Sequence, residues 1–162
     1  MAYISGAKKG SCIFCARRRA SDDRKDLVVL RGKHAFVVMN RYPYTSGHLM
    51  VAPYRHVGSL CALTEDEAHE VMDLAIVCES LLKQAMHPDG FNMGINMGRS
   101  AGAGFPGHVH VHVVPRWAGD TNFMAVAADT KVLPETLRDT YAKLMLAKKH
   151  LSAPAGGGRR KR

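Results

Sequence analysis

Apolar and polar residues alternate most strictly over residues 108–113, where three histidines interleave with three valines. Successive side chains of a β-strand point to opposite faces, so this period of two with β-branched partners predicts a strand. The valines are expected in a core and the imidazoles side by side on the other face. Pro115 is expected to close the strand, because proline cannot donate to a sheet ladder. The three histidines are His108, His110 and His112.

Other segments of the pattern predict the remaining framework. Runs of β-prone residues predict four further strands, at 27–30, 35–39, 48–52 and 91–98. Thr64 and Glu67 match a capping box, and the apolar residues that follow at helical spacing predict a long helix that ends at residues 88–90. The elements predict an α+β fold: about five antiparallel strands with the long helix and a C-terminal helix on one face.

Three details of the helices are also expected from the pattern. Ala68 and Met72 belong to the apolar stripe of the long helix and are expected to face the core. Cys78 lies in the same stripe, where a packed thiol is expected. Pro134 is expected in the first turn of the C-terminal helix, where its missing N–H costs nothing.

The composition fits one globular domain. The chain has 162 residues, of which 46% are hydrophobic and 23% charged, as in ordinary soluble proteins. We expect a single domain over residues 1–151 and a flexible basic tail over residues 152–162. No apolar run is long enough for a membrane span and no signal-peptide pattern is present, so a cytoplasmic protein is expected. In that compartment metal ligation or free thiols are expected for the four cysteines.

A formal charge of +9 and a pI near 9.7 raise the possibility of a nucleic-acid-binding protein. The excess is concentrated towards the ends of the chain, at residues 17–19, 148–149 and 159–162. Only 7% of the residues are aromatic, whereas stacking on bases needs aromatic residues interleaved with basic ones. A nucleotide polyphosphate satisfies the same charge preference.

Three imidazoles on one face indicate a reactive site, because stacked imidazoles repel one another when protonated and so suit proton transfer, metal ligation or nucleophilic chemistry. The segment before them, residues 99–107, is rich in glycine and alanine. Small residues let backbone N–H groups approach an anion closely, so this loop is a candidate phosphate-binding loop.

The sequence His108-Val-His-Val-His-Val-Val114 resembles the signature of the histidine triad family, in which three histidines alternate with apolar residues. Asn40, the Gly47-His48 pair and the segment 53–57 occur in the family's usual order, and the resemblance covers residues 12–117. With the extension over residues 115–124, the chain looks closest to the bacterial diadenosine polyphosphate phosphorylases, also called ATP adenylyltransferases, and next to the fragile histidine triad hydrolases.

The resemblance implies a nucleotidyl transferase or hydrolase that cleaves dinucleoside polyphosphates of the diadenosine tetraphosphate type. His110 would be the nucleophile, and His112 would act beside the transferring phosphate as a hydrogen-bond donor or proton carrier. Asn40 and His48 would lie on the nucleoside side of the site. Phosphate oxygens would be held by the residue set Asn96, Ser100, Gly104, Gly107 and His112.

The resemblance also implies a structural zinc ion, with no metal needed for the chemistry itself. Some relatives bind zinc through a Cys-x-x-Cys pair, a later histidine and the first histidine of the triad. The matching residues here are Cys12, Cys15, His56 and His108. Two thiolates and two imidazoles form a closed tetrahedral set, which is typical of structural zinc. The family further implies a homodimer.

Several alternatives stay open on the sequence. Family members commonly carry a glutamine a few residues before the first histidine, where this chain has Ala103-Gly104, so the identity of the leaving group stays open. A hydrolase of adenosine phosphoramidates is the nearest alternative. A nucleotide-binding signalling protein without turnover and a zinc-containing nucleic-acid-binding module are the alternatives from other classes, and nucleic acid is the less expected partner.

Overall fold

The computed structural model describes residues 12–120 and 134–151, and it contains one five-stranded sheet. The strands are β1 (Val28–Arg31), β2 (Ala35–Met39), β3 (Leu49–Pro53), β4 (Gly90–Gly94) and β5 (Val111–Arg116). They pair antiparallel in the order β1-β2-β3-β5-β4. This architecture confirms the predicted α+β class, including the five strands and the two main helices.

The helices are α1 (Ile13–Arg18), α2 (Glu65–Met86) and α3 (Leu137–Lys148). The capping box at the start of α2 is present: the Thr64 hydroxyl accepts from the Glu67 N–H, and the Glu67 carboxylate accepts from the Thr64 N–H. α2 packs across β2, β3 and β5, and α3 packs against α2 and β1. The apolar core therefore fills the space between α2 and the sheet, and β2 and β3 are buried along their whole length.

The histidine-rich strand is shorter and shifted relative to the prediction. β5 begins at Val111, so His108 and His110 lie in the extended segment before it. Pairing with β3 stops at Val111 because the preceding chain turns away, and the Val109 N–H instead donates to the Val57 carbonyl at 2.7 Å. Pro115 does not close β5: it lies opposite Phe91 inside the ladder.

Other boundaries also differ from the prediction. β4 ends at Gly94 instead of continuing to residue 98, so Asn96 lies in the connection that follows. Pro134 precedes α3, which starts at Leu137, because Thr136 caps the helix by accepting from the Asp139 N–H. α1 was not predicted.

The prediction of which α2 residues face the core was partly wrong. Met72 is 56% exposed and Ala68 is exposed, because the face in contact with the sheet is carried by residues one position away, such as Val71. Cys78 is fully buried as expected, and burial raises the pKa of its thiol. None of the described helices is long and apolar enough to cross a membrane.

The predictions for residues 1–11, for the segment 121–124 and for the basic tail lie outside the described residues. The basic cluster at residues 17–19 is described, and it is not a continuous charged surface. Arg17 is buried, and the Arg18 Nη1 donates to the Tyr54 carbonyl at 2.8 Å.

Candidate active site and metal centre

The antiparallel pairing of β3 with β5 creates two adjoining clusters, one at each end of the histidine segment. His112 lies opposite Met50 in this ladder, and His48 is two residues before Met50, so the two imidazoles are diagonal neighbours on the same face. At the other end, His56 follows β3 and His108 precedes β5. The sheet register thus separates the His48–His112 pair from the His56–His108 pair, which lies among candidate metal ligands.

The candidate metal cluster contains all four residues predicted from the resemblance. One ligand atom from each lies within 4.8 Å of the other three. The Cys12 Sγ is 3.3 Å from the His108 Nδ1, the Cys15 Sγ is 3.3 Å from the His56 Nδ1, and the two imidazole Nδ1 atoms are 3.3 Å apart. α1 makes this possible, because Cys12 occupies the N-cap position of the helix and Cys15 lies in its first turn.

These separations fit a tetrahedral ion. Ligands at roughly 2.0–2.3 Å from a tetrahedral zinc lie about 3.3–3.8 Å from one another. The His108 Nε2 is 2.9 Å from the Pro53 carbonyl oxygen, which can only accept, so the proton is on Nε2 and the Nδ1 lone pair is left for a metal. Two thiols and two imidazoles leave no open position in such a site. The donor set therefore suits a structural metal.

His110 is held in one tautomer by the backbone carbonyl of His108. Its Nδ1 lies 2.8 Å from the His108 carbonyl oxygen, so Nδ1–H donates and the neutral ring keeps a lone pair on Nε2. Only 4% of His110 is exposed, and this burial lowers the pKa of its imidazole. His110 is therefore a neutral imidazole with a free nucleophilic nitrogen near pH 7.

A hydrogen-bonded chain fixes the tautomer of His112 in the opposite sense. The Tyr44 N–H donates to the His48 Nδ1 at 3.1 Å, so a neutral His48 carries its proton on Nε2. That atom is 2.9 Å from the His112 Nδ1, which accepts. His112 therefore carries its proton on Nε2, and burial lowers its pKa to about 4. The ring centroids of His110 and His112 are 4.7 Å apart. The Nε2 lone pair of His110 therefore lies in the ring next to the one that carries the Nε2–H of His112.

The residues predicted on the nucleoside side are only partly brought together. The Asn40 Nδ2 is 3.3 Å from the His48 Nδ1, and the two residues also pair through their backbones. His48 itself is fully buried. Its ring nitrogens contact Asn40, the Tyr44 N–H and His112. The ring of Tyr44 lies against both His48 and His112.

The predicted phosphate-binding residues lie in the connection between β4 and β5. Ser100 is in the short 3₁₀ helix Arg99–Ala101, and Asn96 approaches Gly102, whose φ of +80° is a left-handed conformation. Gly107 lies next to the metal cluster, since a Cβ there would sit 3.3 Å from the His56 Nε2. Gly104 is half-buried. Within the described residues, no hydrogen bond joins Ser100 or Gly104 to the histidines.

One side chain in contact with the histidines was missed from the sequence. Phe14 is fully buried, and its ring lies 4.6 Å from that of His110 and 5.0 Å from that of His108. Its position between Cys12 and Cys15 was the available signal, because ligands on both sides bring the intervening residue to the site. Arg17, one turn later on α1, is also buried, and burial lowers the pKa of its guanidinium.

Comparison with known proteins gives a consistent result. Residues 21–119 match the family described as HIT domain. The chain is 49% identical over 118 residues to proteins named AP-4-A phosphorylase from two Mycobacterium tuberculosis strains. The match covers 73% of this chain and 60% of those relatives, so the chain spans about three-fifths of their length.

Solved structures share the fold. A Zn-bound histidine triad family protein from Mycobacterium smegmatis has a TM-score of 0.68 at 22% identity, covering 86% of this chain and 94% of that one. A hypothetical histidine triad nucleotide-binding protein from Sulfolobus tokodaii has a TM-score of 0.65 at 26% identity, covering 86% of this chain and 90% of that one.

Proposed function

The chain belongs to the HIT domain family, and on this premise we propose that it is a nucleotidyl transferase that cleaves dinucleoside polyphosphates through a covalent intermediate on His110. The observation that carries the proposal is the pairing of tautomers: a lone pair on the His110 Nε2 beside an N–H on His112. The relatives named AP-4-A phosphorylase support the substrate class.

The proposed reaction has two displacements. In the first, the His110 Nε2 attacks the α-phosphorus, a P–N bond forms, and the P–O bond to the leaving polyphosphate breaks. In the second, phosphate or water attacks the nucleotidyl-histidine, the P–N bond breaks and a new P–O bond forms. The hydrogen bond from Nδ1–H to the His108 carbonyl stabilises the positive charge that develops on the ring of His110.

His112 assists both displacements as a donor. Its Nε2–H binds an oxygen of the transferring phosphate or the bridging oxygen that leaves, so charge is stabilised where it develops. His48 is a positioning residue in this scheme, because it acts on the phosphate through its hydrogen bond to the His112 Nδ1. Asn40 holds His48 and lies on the nucleoside side.

The connection between β4 and β5 supplies the remaining phosphate contacts in the proposal. Asn96 and Ser100 offer side-chain donors, and Gly104 offers a backbone N–H where family members commonly have glutamine. Gly107 contributes mainly space, since a side chain there would crowd His56.

We further propose that the Cys12, Cys15, His56 and His108 set holds zinc. The ligand separations and the sulfur–nitrogen donor set support this choice. When bound, the ion supplies a cross-link between α1 and the ends of β3 and β5, and His108 is a ligand instead of a reactant. Such thiols require a reducing compartment such as the cytoplasm.

A homodimer is part of the proposal. Among residues 12–120 and 134–151, β4 is an edge strand of the sheet, and a sheet edge is a surface on which a second chain can pair. Met93 in β4 is 45% exposed, and Met72 and Ile76, one turn apart on α2, are 56% and 57% exposed.

Product analysis with diadenosine tetraphosphate tests the proposed function. ADP and ATP formed only in the presence of phosphate identify a phosphorylase, and AMP and ATP formed in its absence identify a hydrolase. His110→Ala is expected to lose turnover, while His69→Ala, at an exposed position of α2, is expected to retain it. Turnover that survives His110→Ala contradicts the proposal, and faster cleavage of adenosine phosphoramidate favours the alternative substrate class.

A further inference from the structure

Phe14 is a buried aromatic residue that the proposed reaction does not use. Its side chain is fully buried, and its ring centroid lies 4.6 Å from that of His110 and 5.0 Å from that of His108. The ring also meets Phe105, in the connection between β4 and β5, edge to face at 6.2 Å. One side chain thus packs against the proposed nucleophile, a candidate metal ligand and the candidate phosphate-binding loop.

The imidazole of His110 depends on packing for its orientation. Its Nδ1–H donates to the His108 carbonyl at 2.8 Å, but one hydrogen bond does not by itself fix the plane of a ring. In the described part of the chain two rings pack on His110: Phe14, with its plane at 37° to that of the imidazole, and His112, at 70°. Because interiors are close-packed, the buried Phe14 ring limits how far the imidazole can turn.

The plane of this imidazole sets the direction of the proposed attack. The Nε2 lone pair lies in the plane of the ring, so a turned ring no longer points it at the α-phosphorus. Displacement at phosphorus asks the protein mainly for positioning, and a small misplacement of a reacting group lowers the rate steeply. Other residues make the proposed phosphate and nucleoside contacts, so substrate binding depends less on this plane than the attack does.

The local sequence explains why Phe14 is a firm support. It lies in the first turn of α1, between Cys12 and Cys15. The Cys12 Sγ is 3.3 Å from the His108 Nδ1, and the Cys15 Sγ is 3.3 Å from the His56 Nδ1. The backbone on both sides of Phe14 is therefore tied to the segments that follow β3 and precede β5, and its ring is held against the nucleophile.

We propose that Phe14 is a positioning residue that packs on His110 and keeps its Nε2 directed at the α-phosphorus. This inference rests on the proposed function of His110 as the nucleophile. Since Phe14 is fully buried, it acts through His110 and not by touching the substrate. Its loss is therefore expected to lower kcat and to leave KM little changed.

Steady-state kinetics of Phe14→Leu with diadenosine tetraphosphate test the proposal. Leucine keeps an apolar side chain but removes the flat ring, so kcat is expected to fall by about tenfold or more with a small change in KM. Phe36→Leu is the matched control, because Phe36 is also fully buried and its ring stacks on Tyr54 instead of a histidine. Both variants lose core packing, but Phe36→Leu is expected to keep its kcat.

Three kinetic outcomes overturn the proposal. They are an unchanged kcat in Phe14→Leu, an equal loss of kcat in the two variants, and a kcat that returns to the wild-type value when zinc is added. The last outcome would assign the loss to the candidate metal cluster. If Phe14→Leu does not fold, Phe14→Met fills the position with a more adaptable apolar side chain, and the same fall in kcat is expected.

Nitrogen-15 NMR of the His110 imidazole gives a readout that does not need turnover. A single tautomer with the proton on Nδ1 is expected in the wild-type protein and in Phe36→Leu. In Phe14→Leu the ring is expected to sample other orientations, so its two nitrogen shifts move towards each other. Unchanged shifts in Phe14→Leu overturn the role of Phe14 even if kcat falls. Shifts that change as expected in a protein that cleaves no dinucleotide support it, and then only the proposed reaction fails.

Discussion

At the scale of single residues, backbone groups decide what each imidazole can do. The His108 carbonyl leaves His110 with a lone pair on Nε2, and the Tyr44 N–H, acting through His48, leaves His112 with a proton on Nε2. The same residue type therefore serves as an acceptor at one position and as a donor at another. The His110 bond lies within one segment, whereas the His48–His112 bond joins two neighbouring segments of the sheet.

His48 provides a residue-scale prediction. His48→Phe keeps a buried ring but removes the donor to the His112 Nδ1, so His112 is no longer held in its proposed tautomer. We expect kcat to fall by about tenfold or more with a small change in KM. Steady-state kinetics measure kcat and KM separately for the variant and the wild-type protein. An unchanged kcat would show that His112 does not depend on this hydrogen bond.

The pH dependence of stability is a second residue-scale prediction. The pKa of His112 is about 4 in the folded chain and 6.5 in its ordinary state. Between these values the unfolded chain binds a proton that the folded chain does not, so the free energy of unfolding falls as the pH drops from 6.5 towards 4. The slope for this group is at most about 1.4 kcal/mol per pH unit.

Urea denaturation at pH 7, 6 and 5 measures this slope in the wild-type protein and in His112→Gln. The variant is expected to lose less stability on acidification, because glutamine does not titrate. Identical slopes for the two proteins would contradict the depressed pKa of His112.

The sequence could predict the candidate site residues, but it could not predict all of the side chains that contact them. Cys12, Cys15, His56 and His108 followed from spacing and a family resemblance, and the fold brings them within 4.8 Å of one another. The contact of Phe14 with His110 depends on where α1 packs in the fold, and hydrophobic periodicity does not predict that position. The partial exposure of the predicted α2 stripe, as at Met72, depends on how the helix is rotated on the sheet.

At the scale of elements, the register of β3 and β5 organises the site. It places His48 beside His112 and lets His56 and His108 meet beyond the strand ends. The alternation of residues predicted a strand from residue 108, but the chain leaves the ladder before Val111. The Val109 N–H donates to the Val57 carbonyl instead, and His108 lies among the candidate metal ligands.

The link between α1 and the sheet gives an element-scale prediction. Cys15→Ser removes one proposed zinc ligand and is expected to lower bound zinc per chain and the midpoint of thermal unfolding. Cys61→Ser changes an exposed cysteine outside the cluster and is the matched control. Elemental analysis of the purified proteins and thermal melts give the two readouts. Equal zinc content in the two variants would contradict the assignment of Cys15.

At the scale of the whole molecule, α2 packs on the sheet, α3 packs on α2 and β1, and β4 is an edge strand of the sheet formed by the described residues. The proposed dimer uses this edge together with the exposed apolar side chains of α2. Ile76→Glu is therefore expected to shift sedimentation towards the monomer. Leu146→Glu, at a residue of α3 that is 59% exposed, is the control. Sedimentation velocity distinguishes the two, and a wild-type protein that sediments as a monomer contradicts the dimer.

Net charge is the whole-molecule property that said least about the binding partner. The net charge of +9 suggests a polyanion-binding surface, but Arg17 is buried and Arg18 binds a backbone carbonyl. A sum over the sequence cannot show which cations are inside the fold. The partner class is better argued from the histidine cluster, where the geometry of a few atoms specifies the chemistry.

The most direct test of the central claim is to trap the intermediate. The protein is mixed with diadenosine tetraphosphate, quenched rapidly in alkali, where a P–N bond to histidine survives, and digested for mass spectrometry. We predict a nucleotidyl adduct on the peptide that contains His110, and none in His110→Ala. An adduct on another residue, or turnover by the wild-type protein with no adduct at any quench time, would contradict nucleophilic catalysis by His110.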